Sequence, residues 1–354
     1  MTPQKIKVIP FIIGGGYGGD FGDIFIRKLS EQNIQFHRVT RLWGLLAAGL
    51  ASRIQVVDFH WPEYFLGSKS RSPIIAFIQH LISFGIMTLL RWKGIKFCWT
   101  AHNHEPHENP YPRLNDWGFR VFAHMMDAII VMSQWQKQEF IRMFKYEEKA
   151  ARVRIIPLGN FMGHYPDSIS KEAARKQLGI APDGFVYLIF GQIRRYKNIP
   201  ETLATFKQTR HSEDRLLVVG ETADSSLRAE IKSAADESIL LRLAHIPASD
   251  VATYFKAADV CLFPFERVTN SASLLLAMSF GIPVIFKKTG SPQEITKPSF
   301  GILYENGGLE LALQEIRGKD LIRMGQHALQ EAQKYDWADI ARNYRAVYDK
   351  IFQD

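Results

Sequence analysis

Residues 185–198 read FVYLIFGQIRRYKN, an apolar run followed at once by a glycine and three basic side chains. An uninterrupted apolar run of this length is typical of a strand buried on both faces of a parallel sheet. Arg194, Arg195 and Lys197 then fall just beyond the C-terminal end of that strand, where α/β sheets bind their ligands. The segment therefore predicts an α/β fold with an anion site at one sheet edge.

Similar apolar runs alternate with amphipathic segments along the whole chain, which predicts parallel sheets wound on both faces with helices. The expected strands are 7–13, 34–39, 54–59, 96–101, 128–132 and 153–156 in the first half, and 185–190, 215–219, 238–243, 260–263 and 283–286 in the second. The expected helices include 22–32, 117–126, 199–209, 225–236, 248–257, 271–279 and 337–352.

A Gly- and Pro-rich stretch, PLGNFMGHYP at 157–166, separates the two halves. With 354 residues, two domains are the default expectation. We expect an N-terminal Rossmann-like domain over 1–157, a C-terminal one over 158–336, and a cleft between them. The final segment, 337–354, is expected to be a helix that packs back on the N-terminal domain.

The composition is that of a globular protein, with 46% hydrophobic and 23% charged residues, which excludes collagenous and disordered chains. Cys98 and Cys261 lie far apart in apolar stretches, so a disulfide scaffold is excluded. The net charge is +8, and residues 1–150 carry 18 Lys and Arg against 12 Asp and Glu. These positive charges are spread singly, which argues against a nucleic-acid-binding arm and leaves an anionic membrane or a phosphorylated ligand.

The most apolar stretch, 74–90, is 17 residues long, whereas a membrane-spanning helix needs about 20. One interpretation is a buried core helix. The other is a helix lying on an anionic membrane leaflet through the 74–96 region, because basic residues flank the stretch. These flanking residues are Lys69, Arg71, Arg91, Lys93 and Lys96.

A glycine-rich loop, GGGYGG at 14–19, follows the first expected strand and fits the dinucleotide pattern G-x-G-x-x-G. A dinucleotide site also needs an acid about 20 residues further on, where this chain has Arg38 and Arg41. We therefore favour a loop that lets a substrate or phosphate approach the backbone, with Gly15, Gly16 and Tyr17 as candidates. A turn that the glycines merely permit is the second interpretation, and an NAD-dependent oxidoreductase is the lesser alternative.

A histidine-rich block, TAHNHEPHE at 100–108, follows the fourth expected strand. Its H-x-H-x-x-H spacing, from His102, His104 and His107, is compatible with a metal site. Pro106 stands where metallo-hydrolases usually have an acid. The block therefore favours hydrogen bonding to a substrate, and we expect no metal.

The block NSASLLLA at 270–277 predicts a helix whose N-terminus carries Asn270, Ser271 and Ser273. Free N–H groups at that end would face the same anion as the basic residues after Gly191. Together they predict a pyrophosphate site. The alternative is that the charges are solvated and the polar residues only cap the helix.

These segments together resemble the GT-B glycosyltransferases of the family 4 type. The resemblance is carried by FGQIRRYK at 190–197 and NSASLLLAMSFGIPV at 270–284. HWPEY at 60–64 and HNHEPHE at 102–108 narrow it to bacterial exopolysaccharide glycosyltransferases of the xanthan β-mannosyltransferase type.

The resemblance implies a nucleoside-diphosphate sugar in the C-terminal domain, a lipid-linked oligosaccharide or glycan acceptor in the N-terminal domain, and no cofactor or metal. Arg194 and Lys197 would hold the diphosphate, with Asn270, Ser271 and Ser273 at the helix N-terminus. His102 would lie near the transferred sugar. The acceptor side would include His60 and His107, and the candidates for a general base are Glu63, Glu108 and Asp20.

The chain departs from the family pattern at Val268 and Leu276, where many members have glutamates, one of which binds the ribose. Glu266 is a possible substitute. The leading hypothesis is a glycosyltransferase in the cytoplasm, bound peripherally to the inner face of the membrane and acting in surface glycan synthesis. The alternative from another class is a non-catalytic module that binds nucleotide sugars or glycans.

Overall fold

The computed structural model describes residues 5–11, 20–51, 53–67, 70, 72–103 and 110–353, without the side chains of residues 20 and 21. The chain divides into two compact units, which we call unit 1 (Met1–Pro157 with Trp337–Asp354) and unit 2 (Leu158–Asp336). Each unit contains a six-stranded sheet in which all strand pairs are parallel. The predicted α/β, doubly wound class is therefore confirmed.

The strands are short and consist mostly of β-branched and aromatic residues, which favour buried pleated sheets. In unit 1 they are β1 (Ile6–Phe11), β2 (Ile34–Phe36), β3 (Val56–Phe59), β4 (Lys96–Thr100), β5 (Ala128–Val131) and β6 (Val153–Ile155). In unit 2 they are β7 (Val186–Phe190), β8 (Arg215–Val219), β9 (Ile239–Arg242), β10 (Val260–Phe263), β11 (Val284–Lys287) and β12 (Gly301–Tyr304).

The helices lie between the strands, as parallel connections require. The first five are α1 (Asp20–Ser30), α2 (Leu42–Ala51), α3 (Pro73–Trp92), α4 (Pro112–His124) and α5 (Gln134–Phe144). Unit 2 contributes α6 (Lys171–Gln177), α7 (Ile199–Thr209), α8 (Ser225–Ala234), α9 (Ala248–Ala257), α10 (Ala272–Ser279), α11 (Pro292–Ile295), α12 (Leu309–Arg317) and α13 (Leu321–Gln333), and α14 (Trp337–Lys350) belongs to unit 1.

Strand order defines one switch point in each sheet. The order in unit 1 is β2-β1-β3-β4-β5-β6, so the chain reverses its direction of winding between β1 and β3. The order in unit 2 is β12-β11-β10-β7-β8-β9, with the reversal between β7 and β10. Ligands of open α/β sheets bind beyond the carboxyl ends of strands at such points. The residues that follow β3, β7 and β10 are therefore the first to inspect.

The last helix belongs to unit 1 although 179 residues of unit 2 precede it. It packs against α1, and Arg345 donates to the carbonyls of Gln32 and Asn33 at 3.1 and 3.4 Å. The hydroxyl of Tyr348 donates to Asp58 in β3 at 2.6 Å. Because these contacts reach the middle of the first sheet, α14 is an integral layer of unit 1.

Helix α3 has an apolar surface on both its buried and its exposed side. By length and composition it is the one helix in the described part of the chain that could cross a membrane. Of its most apolar 18-residue segment, 33% is buried inside the protein. The buried side packs on α4, where a Cβ at Gly118 would lie 2.0 Å from the ring of His80. Eight large apolar side chains of α3 are exposed: Ile74, Ile75, Phe77, Ile78, Leu81, Ile82, Leu89 and Trp92.

Close packing between α3 and α4 generates a stability prediction. Gly118→Ala should destabilise unit 1 by about 1–3 kcal/mol, because the added methyl overpacks against His80. Gly85→Ala in α3 is the matched control, since a Cβ there meets nothing within 4 Å. It should stabilise the helix by about 0.5–1 kcal/mol. Thermal unfolding of both variants checks this, and equal melting temperatures would contradict the packing.

Candidate functional site

Three groups converge at the switch point of unit 2. Gly191 follows β7 with a φ of +103°, a conformation that glycine adopts readily. A Cβ at this position would lie 3.0 Å from Oγ of Ser273 and 3.6 Å from Nζ of Lys197. The missing side chain therefore leaves the Gly191 backbone open between a hydroxyl and an ammonium group.

Lys197 is 4% exposed and its Nζ lies 4.9 Å from the centre of the Phe265 ring. Burial, together with the positive charge of Arg194, lowers the pKa of Lys197 to about 7. In the described ranges no carboxylate forms an ion pair with this lysine. A buried cation without a counter-ion is costly, so the site gains stability when an anion enters it.

The N-terminus of α10 supplies the second half of this site. Ser271 caps the helix by accepting from the N–H of Leu274 at 3.2 Å. The remaining N–H groups of the first turn have no acceptor within the helix. Asn270 accepts from the hydroxyl of Ser291 at 2.8 Å, which holds the preceding loop. The arrangement supports an anion with both N–H groups and the positive end of the helix dipole.

The two arginines predicted at this site, Arg194 and Arg195, contact different side chains. Arg194 donates to Gln192 at 2.8 and 3.1 Å and acts electrostatically on Lys197. Arg195, predicted beside them, instead contacts Asp224 at 2.9 Å and Glu230 at 3.4 Å. The structure thus directs Arg195 toward α8, because two acidic side chains there attract it.

Glu266, the possible substitute for a ribose-binding carboxylate, is engaged in an ion pair. Both its oxygens lie 2.6 Å from Nζ of Lys287, and Asn198 donates to it at 2.9 Å. The neighbouring backbone N–H of Glu266 donates to the carbonyl of Tyr196 at 2.8 Å. These contacts join the loops after β7 and β10, so the observed role of Glu266 is to connect them.

In unit 1 the residues after β3 and β4 form a histidine pair. Nδ1 of His60 lies 2.9 Å from Nε2 of His102. The ring planes differ by 26° and the ring centres are 5.1 Å apart, as expected for imidazoles joined edge to edge. Trp61 stacks on His102 with centres 4.5 Å apart and planes 15° apart. Burial lowers the pKa of both rings, and that of His60 to about 3, so both are neutral at pH 7.

Asp58 lies beneath this pair at the centre of unit 1 and is fully buried. It accepts from Tyr348 at 2.6 Å and from the Thr100 hydroxyl at 3.0 Å, and Nε2 of His60 is 3.7 Å away. Burial raises the pKa of Asp58 to about 6, although its hydrogen bonds act in the opposite direction. Asp58 is therefore mainly ionised at pH 7 and becomes protonated in mild acid.

The remaining candidates are only partly described. Glu63 is buried in a short 3-10 helix, Pro62–Tyr64, three residues after His60. Cys98 and Cys261 are buried and unpaired with each other, as the sequence predicted. Outside the described residues, or described without a side chain, lie Gly15, Gly16, Tyr17, Asp20, His104, His107 and Glu108.

Sequence reasoning missed three residues that organise the unit 1 cluster. Asp58 is a charged residue inside an otherwise apolar strand, VVDF, and that exception was a usable signal. Tyr344 and Tyr348 lie four residues apart on α14. The sequence analysis expects this helix to pack on the N-terminal domain, but no sequence pattern indicates that its tyrosines meet β3. Only the fold brings the tyrosines to the carboxylate.

Two family models match the chain. The model of the glycosyl transferases group 1 matches residues 170–317, which include the Gly191, Lys197 and Ser273 cluster. The model of Glycosyltransferase Family 4 matches residues 68–159, which lie in unit 1 except for the last two. The two matches therefore fall mainly in different units.

Individual glycosyltransferases and solved structures are also similar to this chain. A GDP-mannose:glycolipid 4-beta-D-mannosyltransferase from Xanthomonas campestris is 25% identical over 86% of this chain and 82% of its own length. The fold is similar to that of a sucrose-phosphate synthase from Thermosynechococcus elongatus, with a TM-score of 0.75 and 18% identity over 99% of this chain and 100% of that one. It is also similar to Anabaena HepE in complex with UDP and glucose, with a TM-score of 0.72 and 16% identity over 98% and 100% of the two chains.

The two parallel sheets and the two family matches define a GT-B glycosyltransferase. The family matches and the relatives support a family 4-like glycosyltransferase, as the resemblance seen in the sequence predicted.

The buried charge of Lys197 generates a prediction on stability. The lysine pKa falls from 10.5 to about 7 on folding, so the unfolded chain binds an extra proton between these pH values. Stability of the wild type should therefore rise with pH from about 7 upward, by at most about 1.4 kcal/mol per pH unit. Lys197→Met should raise the melting temperature most below pH 7, and the gain should shrink toward pH 10. A gain that is independent of pH would contradict a buried ammonium group.

Proposed function

We propose that this glycosyltransferase transfers a hexose from a nucleoside-diphosphate sugar, GDP-mannose or a UDP-hexose, to a lipid-linked or polysaccharide acceptor in bacterial surface glycan synthesis. Unit 2 would bind the donor and unit 1 the acceptor. The single observation that carries the proposal is the buried, counter-ion-free Lys197 beside Gly191 and Ser273 at the switch point of unit 2. The name of the Xanthomonas relative, with its GDP-mannose donor and glycolipid acceptor, supports the substrate classes.

The diphosphate fits this site for three physical reasons. Its negative charges supply the counter-ion that Lys197 lacks, and the Arg194 guanidinium adds a second cation nearby. The open backbone at Gly191 allows a phosphate to approach within hydrogen-bonding distance. The N-terminus of α10 adds the favourable end of a helix dipole, beside Ser273.

The chemistry follows from where charge develops. As the bond between the anomeric carbon and the phosphate oxygen breaks, its electron pair passes to the nucleoside diphosphate. Lys197, Arg194 and the α10 N-terminus stabilise that growing charge and so lower the barrier. These groups supply charge stabilisation without a divalent cation, so we propose a metal-independent reaction.

The acceptor site is proposed at the carboxyl ends of β3 and β4. His102 would lie next to the transferred sugar, with His60 beside it and Glu63 as a further candidate base. The candidates in the glycine-rich loop, together with His107 and Glu108, are also proposed to lie on the acceptor side. An inverting transfer also needs a group that accepts the proton of the acceptor hydroxyl.

We also propose that α3 binds the cytoplasmic face of the membrane. Its outward side presents six exposed apolar residues from Ile74 to Ile82, and α3 contains no acidic residue. Trp117 of α4, 40% exposed, extends this surface and packs near Phe77 with ring centres 5.8 Å apart. An apolar surface of this extent with a net positive unit around it suits an anionic leaflet. Such docking would place a lipid-linked acceptor close to unit 1.

Donor use is tested with a panel of sugar nucleotides. A ligand at 100 times its dissociation constant adds about 2.7 kcal/mol of stability, which is visible as a melting shift. GDP-mannose or a UDP-hexose should give that shift and release nucleoside diphosphate in the presence of EDTA. Lys197→Met should lower the release by orders of magnitude while the protein stays folded.

Lys207→Met is the matched control, because Lys207 is exposed on α7 and donates to the carbonyl of Ala234. It should behave as the wild type. Binding of a sugar nucleotide without release to any acceptor, water included, would favour the non-catalytic module instead. Equal activity of Lys197→Met and wild type would rule out the proposed diphosphate site.

Membrane binding is tested by replacing part of the α3 surface. Ile78→Glu with Leu81→Glu should abolish sedimentation with phosphatidylglycerol vesicles, because two exposed carboxylates would have to leave water to enter the membrane. Ile322→Glu is the control, since Ile322 is a 79% exposed apolar residue of unit 2. Vesicle binding that survives the double substitution would show that α3 is not the docking surface.

A further inference from the structure

We propose that Asp58, His60 and His102 form a proton-accepting relay, held in place by Tyr348 of the last helix. The proposal rests on the proposed function of unit 1. It adds which nitrogen atom receives the proton and which residues prepare it. His60 Nδ1 lies 2.9 Å from His102 Nε2, within hydrogen-bonding distance. Asp58 Oδ2 lies 3.7 Å from His60 Nε2, beyond hydrogen-bonding distance, so the carboxylate acts on this ring through its charge.

The carboxylate sets the tautomer of the first histidine. A neutral imidazole carries one N–H and one acceptor nitrogen. The negative charge of Asp58 favours the proton on Nε2 of His60, the nitrogen that faces it. Nδ1 of His60 is then an acceptor, so Nε2 of His102 must donate across the 2.9 Å contact.

This tautomer leaves the lone pair of His102 on Nδ1. During transfer, the acceptor oxygen bonds to the anomeric carbon while its proton passes to Nδ1 of His102. The bond between that carbon and the donor phosphate breaks, and its electron pair leaves with the nucleoside diphosphate. The resulting imidazolium is stabilised through His60 by the charge of Asp58, and its ring plane is fixed by Trp61. Water takes the proton after the product leaves.

Tyr348 is the positioning residue. Its hydroxyl donates to Oδ2 of Asp58 at 2.6 Å, while Thr100 donates to Oδ1 through its N–H at 3.2 Å and its hydroxyl at 3.0 Å. These bonds fix the carboxylate plane and favour its ionised form. Besides these two residues and His60, the described groups with a titratable side chain facing Asp58 are Cys98 on β4 and Tyr344 on α14. Because burial opposes ionisation, the donors decide whether Asp58 is charged near neutral pH.

The first test is spectroscopic and needs no substrate. In protein with ¹⁵N-labelled histidine, His60 and His102 should both be neutral at pH 7 with their proton on Nε2. The signals among the 11 histidines are assigned with His60→Gln and His102→Gln. Asp58→Asn should move both protons to Nδ1, because the asparagine amide donates to Nε2 of His60. A wild-type His60 protonated on Nδ1 would overturn the relay.

The second test follows nucleoside diphosphate released from GDP-mannose or UDP-glucose with water as acceptor. Asp58→Asn should lower the rate by about 10²–10⁴, the usual contribution of a general base, while the melting shift with nucleotide stays unchanged. Tyr348→Phe should move the acid limb of the pH–rate profile to higher pH by about one unit, since a charge-stabilising donor is lost. Tyr146→Phe, a buried tyrosine elsewhere in unit 1, should leave the limb in place.

The outcomes separate the relay from the proposed function. If Lys197→Met abolishes release and Asp58→Asn does not, the relay is wrong and the donor site stands. If Tyr348→Phe lowers stability without moving the acid limb, the cluster is structural only. If wild-type protein releases no nucleoside diphosphate from any sugar nucleotide, both proposals fail.

Discussion

A hydrogen bond between Tyr348 and Asp58 joins the last helix of the chain to the middle of its first sheet, across 290 residues of sequence. A carboxylate at the centre of unit 1 is tolerable only if it is hydrogen-bonded, because an unsatisfied buried charge costs several kcal/mol. Two of its donors lie on β4, and a third arrives only when α14 is in place. Without the C-terminal segment, Asp58 would lose the hydrogen bond from Tyr348. Unit 1 is therefore complete only when the chain returns to it after unit 2.

The two units deal with buried charge in opposite ways. In unit 1, Asp58 is surrounded by donors within the protein and stays ionised near neutral pH. In unit 2, Lys197 has no acidic partner among the described residues, and its pKa falls to about 7. The first arrangement is complete without a ligand. The second becomes complete when an anion enters, which is the physical signature of a binding site rather than of a structural ion pair.

Local sequence patterns were enough to predict the sheets and the donor-site loops. Buried parallel strands read as continuous apolar runs, and eleven of the twelve were expected within a few residues of their bounds. The missed strand, β12, has mixed burial, and its GILY is too short for a clear pattern. Helix α2, LWGLLAAGLA, was missed because it is apolar all round and shows no helical period. Helix α4 begins at Pro112 rather than near Trp117, since a proline at the first turn starts a helix.

The candidate sites differ in the same way. Some site residues can be placed from local sequence patterns, whereas others depend on contacts between distant parts of the chain. Gly191 and Lys197 follow β7, and Ser273 lies in the first turn of α10, which follows β10. A parallel sheet brings the segments after these two neighbouring strands to one edge, so strand order alone predicts their meeting. Arg195 was misjudged in its surroundings because the acids that attract it, Asp224 and Glu230, come from another helix. The environment of His102 includes His60 and Trp61, which follow β3, and no local pattern encodes these contacts.

The position of the histidine pair explains why such long-range contacts matter for chemistry. A lone imidazole in a buried pocket can carry its proton on either nitrogen, and only one tautomer presents a lone pair to a given substrate. Fixing that choice requires a charge placed behind the ring, on the side away from the substrate. A buried strand residue such as Asp58 meets this requirement, and holding it ionised requires donors from other elements. The return of α14 to unit 1 therefore has a chemical consequence besides its packing, because it sets the protonation state of the carboxylate on which the histidines depend.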